Sequence, residues 1–431
     1  MSNRRTKSFT PVRRDLHPGG LNAKRCYLDY ASTTPLDRRV KKAMEPFWGK
    51  VFGNPSSIHT EGVGAKKALD EARTAVARCL EAHADEIVFT SGGTEANNLA
   101  ILGTVFTAFV SYSYDRSYMI RNTKPHIVTT NIEHASILEP LRSLEREGRA
   151  EVTYVPVEES GVVNPENILS AVRPNTVLVS VQYANNEIGT IQPIRKIGQL
   201  LVPIRNSKFI LHNSSNEKRY PVFHSDACQA PLYLRCLINA LGVDLLTLDA
   251  HKIYGPKGVG ALYVRRGTPF SPVLLGGGQE RGRRSTTENI PGIVGFVEAL
   301  RIATAEREKE SLRITKLRDY LYSQILKNLR IDVAVNGSIK EDERLPNNLN
   351  ISLPGVDTEF LTLQLDTEGV AVSTKSSCLK DEKESYVISA LGGTPERARS
   401  SLRLTLGRFT TKKEIDLCVH ALKKVLTLSK K

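Results

Sequence analysis

Five times along this chain an apolar run of strand length ends in a short cluster of small, polar or charged residues. Ile87–Thr90 ends in Ser91-Gly92-Gly93-Thr94-Glu95, and His126–Thr130 leads to Glu133-His134. Thr176–Val181 leads to Asn185-Asn186-Glu187-Ile188-Gly189. Val222–Ser225 ends at Asp226-Ala227-Cys228-Gln229, and Leu245–Leu248 delivers Asp249-Ala250-His251-Lys252. Helical patterns fall between such runs; from Gly64 to Leu80, for example, Ala68, Leu69, Ala72, Val76 and Leu80 recur at helical spacing. Strands alternating with helices predict an α/β domain with a mostly parallel sheet. In open sheets of this kind the ligand crevice lies outside the carboxyl ends of the strands. One polar group at a strand exit means little. Five exits carrying Gly-Thr, His, Asn, Asp/Gln and His/Lys are difficult to explain as packing.

The exit with the lysine is the most informative. Lys252 follows a buried run and a histidine, and a Gly255-Pro256-Lys257-Gly258 turn returns the chain through Val259–Val264. Desolvation near apolar walls disfavours an ammonium, and a neutral amine can condense with an aldehyde. Taken alone, an ordinary exposed lysine is the commoner case. The Gly92-Gly93 pair between strand and helix would bring bare amides to a helix N-terminus, which suits phosphate, although Gly pairs also make plain turns. Arg403, in the strand pattern of Ser400–Arg408, can clamp a carboxylate with two hydrogen bonds. Cys378 sits in a small-residue, charged loop between Lys375 and Lys380, a setting that favours a thiolate nucleophile. Cys26, Cys79, Cys228, Cys236 and Cys418 lie in strand or helix patterns and read as packing. No Cys-x-x-Cys pair or zinc-type spacing occurs, and scattered cysteines suit a reducing compartment.

The chain has 431 residues, enough for two domains. At 40% hydrophobic and 25% charged residues it has an ordinary globular composition, with no apolar run near the ~20 residues that span a bilayer. Of its net charge of +14, six come from residues 1–25, where seven Lys and Arg face Asp15 alone. No nucleic-acid-binding motif accompanies that charge, so it reads as a solvated, disordered basic arm and no specific nucleic acid is expected. The arm is Arg- and Ser/Thr-rich as transit peptides are, but Pro11, Pro18 and Gly19-Gly20 interrupt an amphipathic helix; a cytoplasmic protein is expected, with an organelle matrix second. Residues 107–124 and 206–220 read as polar surface insertions. The expected division is 41–304 as a large domain and 26–40 with 305–431 as a smaller α+β domain, closed by an amphipathic helix over Glu414–Leu426.

Together, Tyr27–Pro35, Gly53–His59, Thr90–Asn98, Glu133-His134, Asn185–Gly189, Asp226–Gln229, His251–Gly260, Gly276–Asn289, Ser376–Cys378 and Ser400–Phe409 resemble the cysteine desulfurases, class-V aminotransferase relatives of the iron–sulfur-assembly branch. The resemblance covers about residues 26–426. It implies the fold type I of pyridoxal-phosphate transferases, with helices on both faces of the large sheet. It implies that Lys252 binds the aldehyde of pyridoxal 5'-phosphate, that His134 stacks on the ring and that Asp226 pairs with the ring nitrogen. Asn185 and Gln229 would hydrogen-bond the phenolic oxygen. Gly93, Thr94 and His251 would bind the phosphate, with Thr287 donated by the second subunit of a homodimer. Arg403 and Asn185 would hold the carboxylate of L-cysteine. Cys378 would take the sulfur as a persulfide, release alanine and pass the sulfur to an acceptor or iron–sulfur scaffold protein. A metal site is not implied, although Cys378 stays open as a transient iron–sulfur ligand.

The chain departs from that family at Asp249, where Ser or Thr is usual, at Thr286, where Gly is usual, and at Lys375, where a small residue is usual. A carboxylate ~4 Å from a phosphate charge, at an effective dielectric of ~20, meets repulsion of roughly 4 kcal/mol. Asp249 is therefore expected to weaken cofactor binding unless it turns away or is protonated. The alternatives are a selenocysteine lyase, a fold-related class-V aminotransferase that Cys378 argues against, and a basic, non-enzymatic scaffold.

Overall fold

The computed structural model describes residues 25–114, 124–206, 220–329, 331–374 and 384–428. Its main sheet has seven strands: β2 (Ile87–Thr90), β3 (His126–Thr130), β4 (Glu151–Val155), β5 (Thr176–Ser180), β6 (Val222–Asp226), β7 (Leu245–Asp249) and β8 (Gly260–Val264), in the order β2-β8-β7-β6-β5-β3-β4. Pairing is parallel from β4 through β3, β5 and β6 to β7, while β8 runs antiparallel to both β7 and β2. Six strands thus share one direction, and the exits of β2, β3, β5, β6 and β7 open on one edge. All strands except β4 are buried along their whole length, which is why their sequences read as apolar runs rather than alternations. Two apolar cores contribute side chains from these strands: one contains Phe89, Val179, Phe223 and Leu248, the other Val88, Ile127, Leu178 and Leu245.

A further core gathers Cys26, Leu28, Ile314, Leu321, Leu349, Ile351, Leu402, Leu404 and Leu422. It covers a three-stranded antiparallel sheet of β9 (Ala334–Val335), β10 (Asn348–Ser352) and β12 (Ser401–Thr405), and the parallel pair of β1 (Cys26–Tyr27) with β11 (Val370–Ala371). The helix Ile290–Asn328 belongs to both regions: Ile293, Phe296 and Leu300 join the first core, and Ile314, Leu321 and Ile325 the last. One expectation changes here. Residues 107–114 are not part of a surface insertion but the final turns of the helix Gly93–Tyr114, with Thr107 and Ala108 buried. Their hydroxyls misled the reading; Thr107 Oγ1 is satisfied by the Gly103 carbonyl, four residues back in the helix. Most of the 206–220 stretch and residues 1–24 lie outside the described residues.

The glycine-rich loop after residue 276 is fastened to β2 by a buried ion pair. Arg73, from the helix Thr60–Leu80, donates to both Glu280 carboxylate oxygens at 2.6 and 2.7 Å and to the Ile87 carbonyl at 2.6 Å. The Phe89 amide donates to Glu280 Oε2 at 2.9 Å. Glu280 and Arg281 adopt left-handed backbone, φ 48° and 58°, which non-glycine residues hold only when their surroundings impose it. Replacing one partner strands a buried charge. Glu280→Ala should therefore cost about 3–5 kcal/mol in chemical denaturation, whereas the paired Arg73→Met/Glu280→Leu exchange should recover most of it. A loss below about 0.5 kcal/mol for the single variant, the range of a surface change, would contradict this account.

Candidate active site

The common edge of the parallel strands forms one cavity. Gly93, Thr94 and Asn97 reach it from the start of the Gly93–Tyr114 helix, His134 and Ser136 from the exit of β3, and Asp226, Cys228 and Gln229 from that of β6. Asp249, His251 and Lys252 arrive from the exit of β7, through one 3-10 turn over Ala250–Lys252. The segment after β1 crosses the opening: the Ala31 and Ser32 carbonyls accept hydrogen bonds from Lys252 Nζ, both at 2.8 Å, and Gln229 Nε2 donates to the Ala31 carbonyl. Thr34 N and Oγ1 both donate to the His251 carbonyl, locking that segment onto the lysine turn.

At one end of the cavity lies the N-terminus of the Gly93–Tyr114 helix. Its first amide already has an acceptor, because Gly93 N donates to Asp249 Oδ2 at 2.7 Å. A Cβ at Gly93 would lie 2.6 Å from Cys228 Sγ and 3.2 Å from Asp249 Oδ2, so only bare backbone fits there. His251 N donates to Asp249 Oδ1, and His251 Nε2 lies 3.4 Å from Oδ2. Burial pushes the Asp249 carboxyl up, but the hydrogen bonds and charge of His251 and the Gly93 amide outweigh it and hold the group below the ordinary carboxylate range.

Behind His134 runs a chain of hydrogen bonds. Asn97 Nδ2 lies 2.7 Å from Asp226 Oδ2 and 2.8 Å from Ser136 Oγ, and Ser136 Oγ lies 2.8 Å from His134 Nδ1. The Ser136 backbone N–H also donates to Nδ1, at 3.2 Å. A backbone amide can only donate, so Nδ1 is the acceptor and the neutral ring carries its proton on Nε2. Burial holds the His134 imidazole below the ordinary histidine value, with Asp226 pulling the other way. Burial also pushes the Cys228 thiol well up, so this cysteine is a neutral thiol in the cavity wall rather than the core packing expected of it.

Arg403, 1% exposed, faces the cavity from β12. It donates to Asp29 Oδ1 and Ser32 Oγ, both at 2.8 Å, and to the Asn186 carbonyl at 3.1 Å, while its buried Nε has no hydrogen-bond partner among the described residues.

The fold thus brings together Gly93, Thr94, His134, Asp226, Gln229, His251, Lys252 and Arg403. Asn185 does not line the cavity. Its Oδ1 accepts from the Glu187 and Ile188 amides and its Nδ2 donates to the Ile132 carbonyl; Asn186 lines the cavity in its place. Thr287 is exposed and outside the cavity of its own subunit. Cys378, Lys375 and Lys380 lie outside the described residues, although Ser373 pairs with the Arg403 backbone and Ser385 Oγ donates to Glu187 Oε2 at 2.7 Å. Ser32, Asn97, Ser136 and Asn186 were missed. Asn97 had a legible signal, since it follows Gly93 by one helical turn and shares its face. Among the described residues no group of three His, Cys, Asp or Glu could hold a metal ion.

An amine, a carboxylate, an imidazole and a helix N-terminus around one cavity form a donor set that fits pyridoxal phosphate, with the Arg403 guanidinium in the same wall. The qualification is at the phosphate end, where Asp249 holds the Gly93 amide.

The pattern of the aminotransferase class-V family matches residues 26–418, and the chain belongs to that family, which is pyridoxal-phosphate-dependent. Among its relatives is cysteine desulfurase IscS of Dictyoglomus turgidum, 43% identical over 402 residues, covering 93% of this chain and 94% of that protein. Cysteine desulfurase IscS 1 of Archaeoglobus fulgidus is 40% identical, covering 93% of this chain and 96% of its own length. A solved NifS-like protein superposes with a TM-score of 0.82 at 34% identity, over 94% of this chain and all of that one. A structure described as SspA in complex with cysteine gives 0.72 at 31% identity, over 90% and all of the two chains.

The Ser136 contact generates a prediction. Its hydroxyl stabilises the lone pair of Nδ1, which exists only in unprotonated His134. Ser136→Ala should therefore raise the His134 pKa, because the neutral ring loses a hydrogen bond, and Ser136→Thr should restore it. Histidine titration by NMR reads this directly. An unchanged His134 titration in Ser136→Ala would contradict the tautomer assignment.

Proposed function

We propose that this protein is a cysteine desulfurase that removes sulfur from L-cysteine, giving L-alanine and a persulfide on Cys378. The convergence of Lys252, Asp226, His134, Gln229 and Arg403 on one cavity carries the reading, and relatives of that name at 40–43% identity support it.

When bound, pyridoxal phosphate supplies an electron-poor ring that stabilises negative charge at the substrate carbons. Lys252 would hold the aldehyde carbon, and Asp226 would pair with the ring nitrogen and keep it protonated. Gln229 and Asn186, which lines the cavity where Asn185 does not, would serve the phenolic oxygen. Arg403, held rigid by Asp29 and Ser32, clamps the substrate carboxylate. Lys252, once freed by substrate, moves protons between the substrate carbons, and His134 presents its Nε2 proton beside it. The Cys378 thiolate attacks the substrate sulfur. The C–S bond breaks, its electron pair stays with carbon, and that carbon takes a proton to become the methyl group of alanine. The outer sulfur remains on Cys378 until the thiol of an acceptor, such as an iron–sulfur scaffold protein, takes it.

A homodimer fits this scheme, because Thr287 serves no phosphate in its own subunit. Trp48, Phe52, Ile58 and Leu275, all strongly exposed, supply apolar surface for a second copy. We place residues 26–40 and 305–431 in a smaller domain that carries Arg403 and Cys378 to the large one, 41–304. No helix of the described residues is long and apolar enough to cross a membrane. The five described cysteines are free, and we assign the protein to the cytoplasm.

Cys378→Ser should keep the visible absorbance of the bound cofactor and its response to L-cysteine. Sulfide release and persulfide labelling should vanish, since a serine hydroxyl is un-ionised near neutral pH and a poor nucleophile toward sulfur. Wild-type rates of alanine and sulfide formation in this variant would remove the desulfurase assignment and leave a cofactor enzyme of another kind.

A further inference from the structure

The anion cup of this cavity already contains an anion. Asp249 Oδ2 sits 2.7 Å from the Gly93 amide, at the point where a helix N-terminus would otherwise receive a phosphate oxygen. The carboxylate is held there from two sides, by that amide and by the amide and ring of His251. Retreat is hindered, because Asp249 is 7% exposed at the end of a fully buried strand.

The surrounding charges do not remove the conflict. His251 and Lys252 face Asp249 from its own turn, and His134 faces it from the exit of β3. From the exit of β6 come Asp226, a second acid, and the neutral thiol of Cys228. On the Gly93–Tyr114 helix, Glu95 is engaged by Arg284 at 2.6 and 2.9 Å, so that arginine is committed elsewhere. A phosphate arriving at Gly93 thus meets an ionised carboxylate. Two anions converging on one amide cannot both stay fully ionised.

We propose that Asp249 makes phosphate binding proton-coupled: the cofactor enters this cup with uptake of one proton, held within the Asp249–His251 pair and the phosphate, and its affinity falls as the pH rises. A protonated carboxyl can then donate a hydrogen bond to a phosphate oxygen. The group that competes as an anion becomes a donor once protonated. This rests on the reading of the protein as a pyridoxal-phosphate enzyme.

The test uses the full chain stripped of cofactor, as wild type, Asp249→Ser and Asp249→Asn. Pyridoxal phosphate is titrated by its visible absorbance from pH 6.5 to 9, with pyridoxal, which lacks the phosphate, as the control ligand. Proton uptake is read by calorimetry in two buffers of different ionisation heat. The wild-type Kd should rise with pH by up to about tenfold per unit more steeply than in either variant, the limit for one coupled proton. At pH 8.5 both variants should bind pyridoxal phosphate at least about tenfold more tightly, and pyridoxal should bind all three alike. Equal pH slopes and equal proton uptake, or weaker binding in both variants, would overturn the proposal alone. Absence of any visible band from all three proteins with either ligand would overturn the functional reading and the proposal with it.

Discussion

The site depends on direction. Because β2, β3, β5, β6 and β7 run the same way, their exits fall on one edge, and there they deliver Gly93, His134, Asn186, Asp226 and Lys252 to one cavity. The interiors of the strands are apolar or carry polar groups that are mostly paired, with buried Ser225 Oγ in β6 an exception among the described residues. His224, in β6, bridges Ser180 of β5 and Thr247 of β7, and burial lowers its pKa to about 4, so it stays neutral near pH 7. Such a sheet is rigid, and Lys252, His134 and Asp226 inherit that rigidity through turns of a few residues. Preorganisation of this kind removes the cost of ordering the reacting groups when substrate arrives.

Electrostatics then divides the cavity into compensated pieces. Arg403 meets Asp29, Asp249 meets His251 and the Gly93 amide, and Asn97 donates to Asp226. Charges buried this deeply persist only with such partners. The second role of these pairs is geometric. Asp29 and Ser32 fix the plane of the Arg403 guanidinium. The chain through Asn97 and Ser136 ties the tautomer of His134 to the same acid that is proposed to face the ring nitrogen. Changing one member should therefore disturb the others, as expected of one hydrogen-bonded network.

Much of this was legible in the residues. Strand exits are visible because β-strands here are fully buried and apolar, so the first polar residue marks the edge of the sheet. Gly93, His134, Asp226, Lys252 and Arg403 were found that way or by their likeness to a family. Contacts across distant segments were not legible. The carbonyls of Ala31 and Ser32 reach Lys252 over more than two hundred residues, and no periodicity records that. The asparagine pair shows a finer limit: Asn185 and Asn186 are chemically identical, and only the turn decides that the first bonds to backbone and the second lines the cavity. Thr107–Tyr114 failed for a simpler reason. Its hydroxyl-rich composition resembles a loop, but the preceding helix supplies carbonyl acceptors and carries it onward.

The central claim is that Lys252, at the exit of β7, is the residue that holds the cofactor. Reduction of the pyridoxal-phosphate-loaded protein with borohydride, followed by peptide mapping, tests it with least interpretation, because reduction fixes the lysine–cofactor bond covalently. The account predicts one modified peptide with the label on Lys252. Label on another lysine, with Lys252 unmodified, would contradict it.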